Sequence, residues 1–530
     1  MPWRLLLCLG LALSLSTSWP GLAVRAANLP VLRWSEEGVR DLATLDPAAV
    51  GDVNGRLAAG FVFEGLVRQA PDGTVTGAAA DRWTVSGDGR VYTFTLRPGL
   101  RFGDGTLVSS ADVVYSLDRA LSPPFRSTAN TYVLGVIAGA AERSSGRSRA
   151  LAGVRSVGES QVRITLTAPS GSFLARLGLL SAAIVSRSAI AREGARWVEH
   201  AVGTGPFIVK SWLHNQALEL VPNQFYYGPK PRIDISLVFV PELTTAFKQF
   251  QLGLLDVMGT VAFPADQAYR VQGDPQFHPS PRPATTYLML NVRRAPLSND
   301  LVREALADAI DKRALVGDVF GDLAQAADGM VPPGIPGHSS RIQGVGYDPG
   351  LARKLLAQAG YPSGRRFPAV VFNADEGAQN LKLATAIAAQ WHTVLGIDVR
   401  IAQAEHNAYD SLLTNLAFQI APIAWSMDWP DPQNFLTQLL RTGSPNNNGG
   451  WSNPEFDRLV DSADRLVGDS AQRLALYQRA ETIAMQKAAT IPLANPQAGI
   501  MIRSGIKGLQ VASGAVVVAN WSNVRLESAT

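Results

Sequence analysis

Cysteine is almost missing from this chain: Cys8 is the only one. It lies inside an N-terminal apolar run, so a mature chain without that run would have neither a disulfide nor thiol chemistry. Histidine is scarce too. His200, His214, His278, His338, His392 and His406 are scattered, and no pair shows metal-ligand spacing. Charged residues make up only 17%, with 48 basic against 44 acidic, so the net charge of +4 is no basic stripe for nucleic acid. The chain has no G-x-S-x-G, no H-E-x-x-H, no C-x-x-C and no G-x-x-x-x-G-K. Those absences remove the common signatures of serine hydrolases, zinc proteases, thiol redox proteins and P-loop enzymes. Beyond the N-terminus there is no apolar run of membrane length. A chain that binds without covalent chemistry is the expectation. A secreted hydrolase is the disfavoured rival.

At 530 residues the chain is too long for one core, so two or three domains are expected. Arg4 supplies a positive start, Leu5–Leu15 an apolar stretch, and Trp19-Pro20-Gly21 a break. Small residues at 21–27 follow at cleavage-like spacing, which reads as a secretory signal over residues 1–26. The expected mature N-terminus lies between Val24 and Asn28, without lipid, in the periplasm. A lipid-anchored Cys8 is disfavoured, because it sits early in the run and follows Leu7.

Trp83–Val85 and Tyr92–Leu96 read as a hairpin across Ser86-Gly87-Asp88-Gly89. Ser110 is expected to cap a helix over 111–121 and Asn299 one over 301–310. Arg143, Arg147, Arg149 and Arg155 stand in a Gly/Ser-rich stretch without interleaved aromatics, which reads as a solvated loop. Gly203-Thr204-Gly205 lacks a following Gly-Lys and reads as a turn between domains. Asp348-Pro349 starts a helix that stops at Gly360. Val370–Asn373, Gln379–Leu395 and Ile397–Ile401 form one βαβ unit. Asn453-Pro454 opens another helix, and Ile491–Ala494 is a late strand. The class is α/β with α+β elements.

The most informative stretch is Ile420–Phe435, IAPIAWSMDWPDPQNF. Its apolar start suits a buried strand. Asp431 followed by Pro432 signals a helix start. Between them stand Trp425, Met427, Asp428 and Trp429. An acid among aromatics at a strand end suits a cation or an ammonium group. In the alternative, Asp428 caps a turn and the tryptophans fill the core.

An ordered series of motifs resembles the solute-binding proteins of bacterial ABC importers, family 5, the peptide- and nickel-binding group. The series is VFEGLV (62–67), FGDGTLVSSADVVYSLDRAL (102–121), GTGPFIVKSW (203–212), NQFYYGPKPRIDI (223–235), REALADAIDKRALV (303–316), YDPGLARKLLAQAGYP (347–362), WSMDWPDPQNF (425–435), NPEFDRLVDSA (453–463) and ALYQRAETIAMQKAATIPL (475–493). The resemblance implies a type II periplasmic-binding-protein fold with two lobes, an extra inserted domain and a hinge. It implies a first lobe from 28–58, 204–284 and 494–530, an insert over 59–203 and a closing lobe over 285–493. The hinge is expected near 285–291 and 491–494. It further implies that Asp428 meets a ligand ammonium, with Trp425, Trp429 and Met427 beside it. The implied partners are a small peptide or peptide-like solute and the permease subunits of an importer. A monomer is expected, with no cofactor, no nucleic-acid partner and no catalytic residues. One departure stands out. Where dipeptide-binding members carry a basic residue for the ligand carboxylate, this chain has Asn373-Ala374-Asp375-Glu376, an acidic loop. Longer peptides or a cationic solute then fit better than a free dipeptide. Capture of nickel or a metal chelate through His406 or His392 is the rival within the class.

Overall fold

The computed structural model describes residues 29–527 except 71–72, 126–127, 321–322, 341, 343–345, 469 and 514. The expected signal segment and Cys8 therefore lie outside the described residues.

Local signals produced most elements where the sequence placed them. The strands Ala80–Val85 and Val91–Leu96 pair antiparallel, with Gly89 in the left-handed region that a tight turn needs. Asn299, Asp348 and Asn453 each accept a backbone N–H from the first turn of the helix that follows. The helix expected after Ser110 begins one residue earlier. Ser109 precedes it and is tied to Asp112, while the Ser110 hydroxyl donates to the Gly158 carbonyl. The βαβ unit forms as expected: Val370–Asp375 and Val399–Ala404 pair parallel around the helix Ala378–Leu395.

A 12-stranded mixed sheet runs through both lobes. The strand Thr490–Ile502 joins the halves. Its first part pairs with Ala284–Leu290 in the closing lobe, and its second part with Phe277–Pro281 in the first lobe. The sequence suggested only the short strand Ile491–Ala494, and Pro496 and Gly499 beyond it discourage continued pairing. The chain nevertheless stays extended while it changes partner.

The crossings between lobes therefore fall at Arg282-Pro283, just before the first expected hinge segment, and at Asn495-Pro496, just after the second. Both are held by hydrogen bonds. Arg282 N donates to the Pro496 carbonyl at 2.8 Å, and Asn495 Nδ2 donates to the Ala284 carbonyl at 3.0 Å.

Helices cover both faces of the sheet in the closing lobe, one side packing around Trp391 and Phe372, the other around Phe435 and Tyr477. The insert has its own four-stranded antiparallel sheet and core. Its expected limits cut through first-lobe packing. Ala58, Phe61 and Phe63 on one side, and Ala183, Val185 and Trp197 on the other, belong to the first-lobe core with Trp34 and Phe207. The helix Val53–Val62 spans the expected boundary at 59 and presents its apolar face to that core.

Glu481 is fully buried in the closing lobe, where Val331 N donates to it at 2.9 Å. Burial pushes its carboxyl up to about 7. The folded protein thus holds a proton that the unfolded chain releases above about 4.5. This contribution to stability is present below the unfolded pKa and is lost as pH rises towards 7, a swing of about 3 kcal/mol at about 1.4 kcal/mol per pH unit. Glu481→Gln should flatten the rise of urea midpoint on acidification between pH 7 and pH 4.5. An unchanged slope would refute this assignment.

Candidate functional site

The strand Ile420–Ser426 pairs along its whole length with Ala284–Leu290 and runs parallel to Val370–Asp375. Its carboxyl end therefore shares one edge with the ends of Val370–Asp375 and Val399–Ala404. Ligands of open α/β sheets bind at such an edge. The same edge meets the lobe crossing: Ala284 is opposite Ser426, and Met427 N donates to the Pro283 carbonyl at 2.8 Å.

After Ser426 the chain turns around Asn434, a fully buried residue. Its Oδ1 accepts from Asp428 N at 3.0 Å and from Trp425 Nε1 at 3.2 Å, and its Nδ2 donates to Asp428 Oδ2 at 3.1 Å. One amide thus fixes the backbone and side chain of Asp428 and the Trp425 ring. Nothing in the sequence reading pointed to Asn434, whose nearest fixed partner is six residues away. Asp428 as a whole residue is exposed, while its carboxyl, held by Asn434, is partly shielded from solvent. Partial burial raises its pKa above the usual carboxylate value, against the opposing pull of the Asn434 amide and of the Arg56 and Arg176 charges.

The four expected site residues part company. Asp428 is exposed. Trp425 is half-buried and packs on the closing-lobe core. Met427 lines a cavity of about 290 Å³ with Gln69 of the insert and Gly334, Ile335 and Val518. Trp429 has no exposed surface. Its ring stands 4.8 Å from that of Tyr132 and 3.8 Å under the Arg176 guanidinium, both from the insert. In this conformation it offers no face to a ligand, and it joins the closing lobe to the insert.

That junction is polar as well as aromatic. Arg176 Nη2 donates to Gln433 Oε1 at 2.7 Å, Ser172 Oγ donates to the same oxygen at 2.6 Å, and Arg176 Nη1 donates to the Tyr132 carbonyl. Burial lowers the pKa of Arg176, and the neighbouring acids oppose the shift. Gly171 belongs to the same contact, because a Cβ there would stand 2.3 Å from Arg473 Nε. Asp431 caps the turn Pro432–Asn434 as expected, but the turn is a single 3-10 turn. Its carboxylate is also paired bidentately with Arg473, at 2.7 Å to each terminal nitrogen, and both groups are buried.

Asn373-Ala374-Asp375 is the end of a strand and not a loop. His406 Nδ1 stands 2.8 Å from Asp375 Oδ2. The hydrogen bond and charge of Asp375, with the charge of Asp410, raise the imidazole pKa. His392 pairs with Asp398 on the surface. No group of three or more His, Cys, Asp or Glu is arranged to hold a metal ion among the described residues. No helix among the described residues is long and apolar enough to cross a membrane.

The family model described as bacterial extracellular solute-binding proteins, family 5 middle, matches residues 74–447. The chain is 28% identical over 447 residues to the oligopeptide-binding protein OppA of Bacillus subtilis, covering 81% of each. It is 29% identical over 507 residues to the periplasmic murein peptide-binding protein MppA of Escherichia coli, covering 92% of this chain and 93% of that one. The unliganded open form of MppA overlays with a TM-score of 0.84 at 25% identity, over 93% of this chain and 98% of MppA. A second MppA structure overlays at only 0.68 with the same identity, over 94% of this chain and 99% of that one. The overall arrangement is thus more similar to that of the unliganded open form than to that of the second structure.

Proposed function

Because this chain belongs to family 5 of the bacterial extracellular solute-binding proteins, we propose that it captures a peptide or peptide-like solute outside the cytoplasm and presents it to the permease subunits of an ABC importer. The family is one of binding proteins, and no reaction is proposed for this chain. The observation that carries the reading is the placement of Asp428. It is an acid held by Asn434 at the carboxyl edge of the closing-lobe sheet, beside the lobe crossing and exposed. We assign it the ammonium group of the solute, with Trp425 and Met427 as its flanks. The protein acts as a monomer in the periplasm. The peptide-binding names of OppA and MppA support a peptide as the solute class.

Rotation about the two crossings would bring the lobes together on the solute. Contacts made only in the closed form would shift the open–closed balance. Mass spectrometry of material carried through native purification identifies the solute; a sugar or a bare metal ion there would overturn the peptide reading. Adding that solute to stripped protein should reduce the radius of gyration in X-ray scattering. Tight binding with an unchanged scattering curve would refute closure.

A further inference from the structure

Three cavities close to Met427 share lining residues. Arg56 lines two of them, of about 240 and 280 Å³. The cavity under Met427 shares Val518 with the first and Gln69 with the second. The three adjoin, and together they are called the groove. The helix Val53–Val62 carries Arg56 on the first-lobe side, and Met427, next to Asp428 in the chain, lines the closing-lobe side with Pro430.

Arg56 is exposed, and its guanidinium makes no hydrogen bond or ion pair among the described residues. The other arginines near the groove are committed. Arg68 donates to the Tyr226 hydroxyl and pairs with Glu64, whose carboxylate also accepts from Tyr227. Arg176 is held by Ser172, Gln433 and the Tyr132 carbonyl, over the Trp429 ring. Arg56 is thus the uncommitted cation of the groove. It lies within electrostatic reach of Asp428, where its charge favours the ionised carboxylate.

This arrangement constrains what can bind. An ammonium group docked on Asp428 brings a positive charge towards Arg56, and like charges brought together at an interface are costly. The repulsion is removed when the solute also offers an anion to the guanidinium, whose planar fork suits a carboxylate. We propose that Arg56 receives a carboxylate of the solute, and that the solute carries this group on the same residue as its ammonium. The inference rests on the assignment of the ammonium to Asp428. Two kinds of peptide have such a head: one that begins with an acidic side chain, and one whose first residue is joined through its side chain and keeps its α-carboxylate free.

The test is calorimetric titration of the full chain with alanyl-, glutaminyl-, glutamyl- and γ-glutamyl-dialanine, using wild type, Arg56→Gln and Arg56→Lys. Wild type should bind at least one acid-headed peptide about tenfold or more tighter than the glutaminyl one. Which of the two is preferred tells the source of the carboxylate. Arg56→Gln should erase the preference, and Arg56→Lys should keep part of it. Thermal melts of the free proteins should coincide, since Arg56 is exposed. Equal binding of acidic and neutral heads by wild type would overturn the inference, as would a preference that survives in Arg56→Gln. So would uniformly tighter binding of all four peptides by Arg56→Gln, which would make Arg56 a counter-ion that competes for Asp428. Failure of wild type to bind any of the four would instead sink the peptide reading, and the inference with it.

Discussion

Asp431→Ala is expected to destabilise the protein by about 3–5 kcal/mol, the range for removing one partner of a buried ion pair. The sequence alone assigns Asp431 a cap, whose loss would cost about 0.5–2 kcal/mol. The structure adds the larger effect. Arg473 lies buried against the carboxylate, with Nε on the Ala463 carbonyl and Nη2 on the Tyr477 hydroxyl. Without Asp431 its charge stays in the interior unpaired. The measurement is urea unfolding of wild type, Asp431→Ala and the double variant Asp431→Ala/Arg473→Met. If the stranded charge dominates, the double variant should recover much of the loss, because apolar replacement of a whole buried pair is often neutral. A single-variant loss of about 1 kcal/mol, with no recovery in the double, would leave only the cap. The pair also stands behind Gly171 of the insert, so the variant should loosen the insert–closing lobe contact.

Asp428→Asn is expected to weaken binding of the identified solute by about 30- to 4,000-fold, the equivalent of about 2–5 kcal/mol for breaking a desolvated charge pair. The substitution keeps the shape and removes the charge. The fold should be unaffected. Asp428 is exposed, and the new amide can still accept from Asn434 Nδ2 through its oxygen. Melts without solute should therefore overlay those of wild type. A pH dependence accompanies this. Asp428 must be ionised to hold an ammonium, and its pKa is raised, mainly by burial. Wild-type affinity should fall on acidification at a higher pH than an ordinary aspartate would give, and the Asn variant should lack that fall. Calorimetric titration of both proteins across mildly acidic pH checks both statements. Wild-type affinity in Asp428→Asn, or a much lower melting temperature without solute, would make Asp428 a structural residue.

The two neighbouring acids show where sequence reading reaches its limit. Asp431 before Pro432 is legible as a cap because the donor, Gln433 N, is two residues away. Its partner Arg473 is 42 residues further on, and no pattern in the chain links them. Trp429 shows the same limit. An aromatic beside an acid suggests a ligand face, yet residues of the insert, Tyr132 and Arg176, bury it completely. Arg56 drew no attention in the sequence, since a lone arginine in a helix is ordinary. Its place beside the cavities that adjoin Met427 exists only because separate segments of the chain pack there.

The sequence by itself determined the elements: the hairpin around Gly89, the caps at Asn299, Asp348 and Asn453, the βαβ unit, and the strand that ends beside Asp428. Each depends on turn chemistry, capping or periodicity within a few residues, so neighbours in the chain carry the whole signal. Tertiary structure decided where the lobes divide, how far Thr490–Ile502 continues, which acid is bound to Arg473 and which arginine beside the groove has no partner among the described residues. Those outcomes depend on desolvation and on charges brought together from distant parts of the chain, and both arise only when separate segments pack.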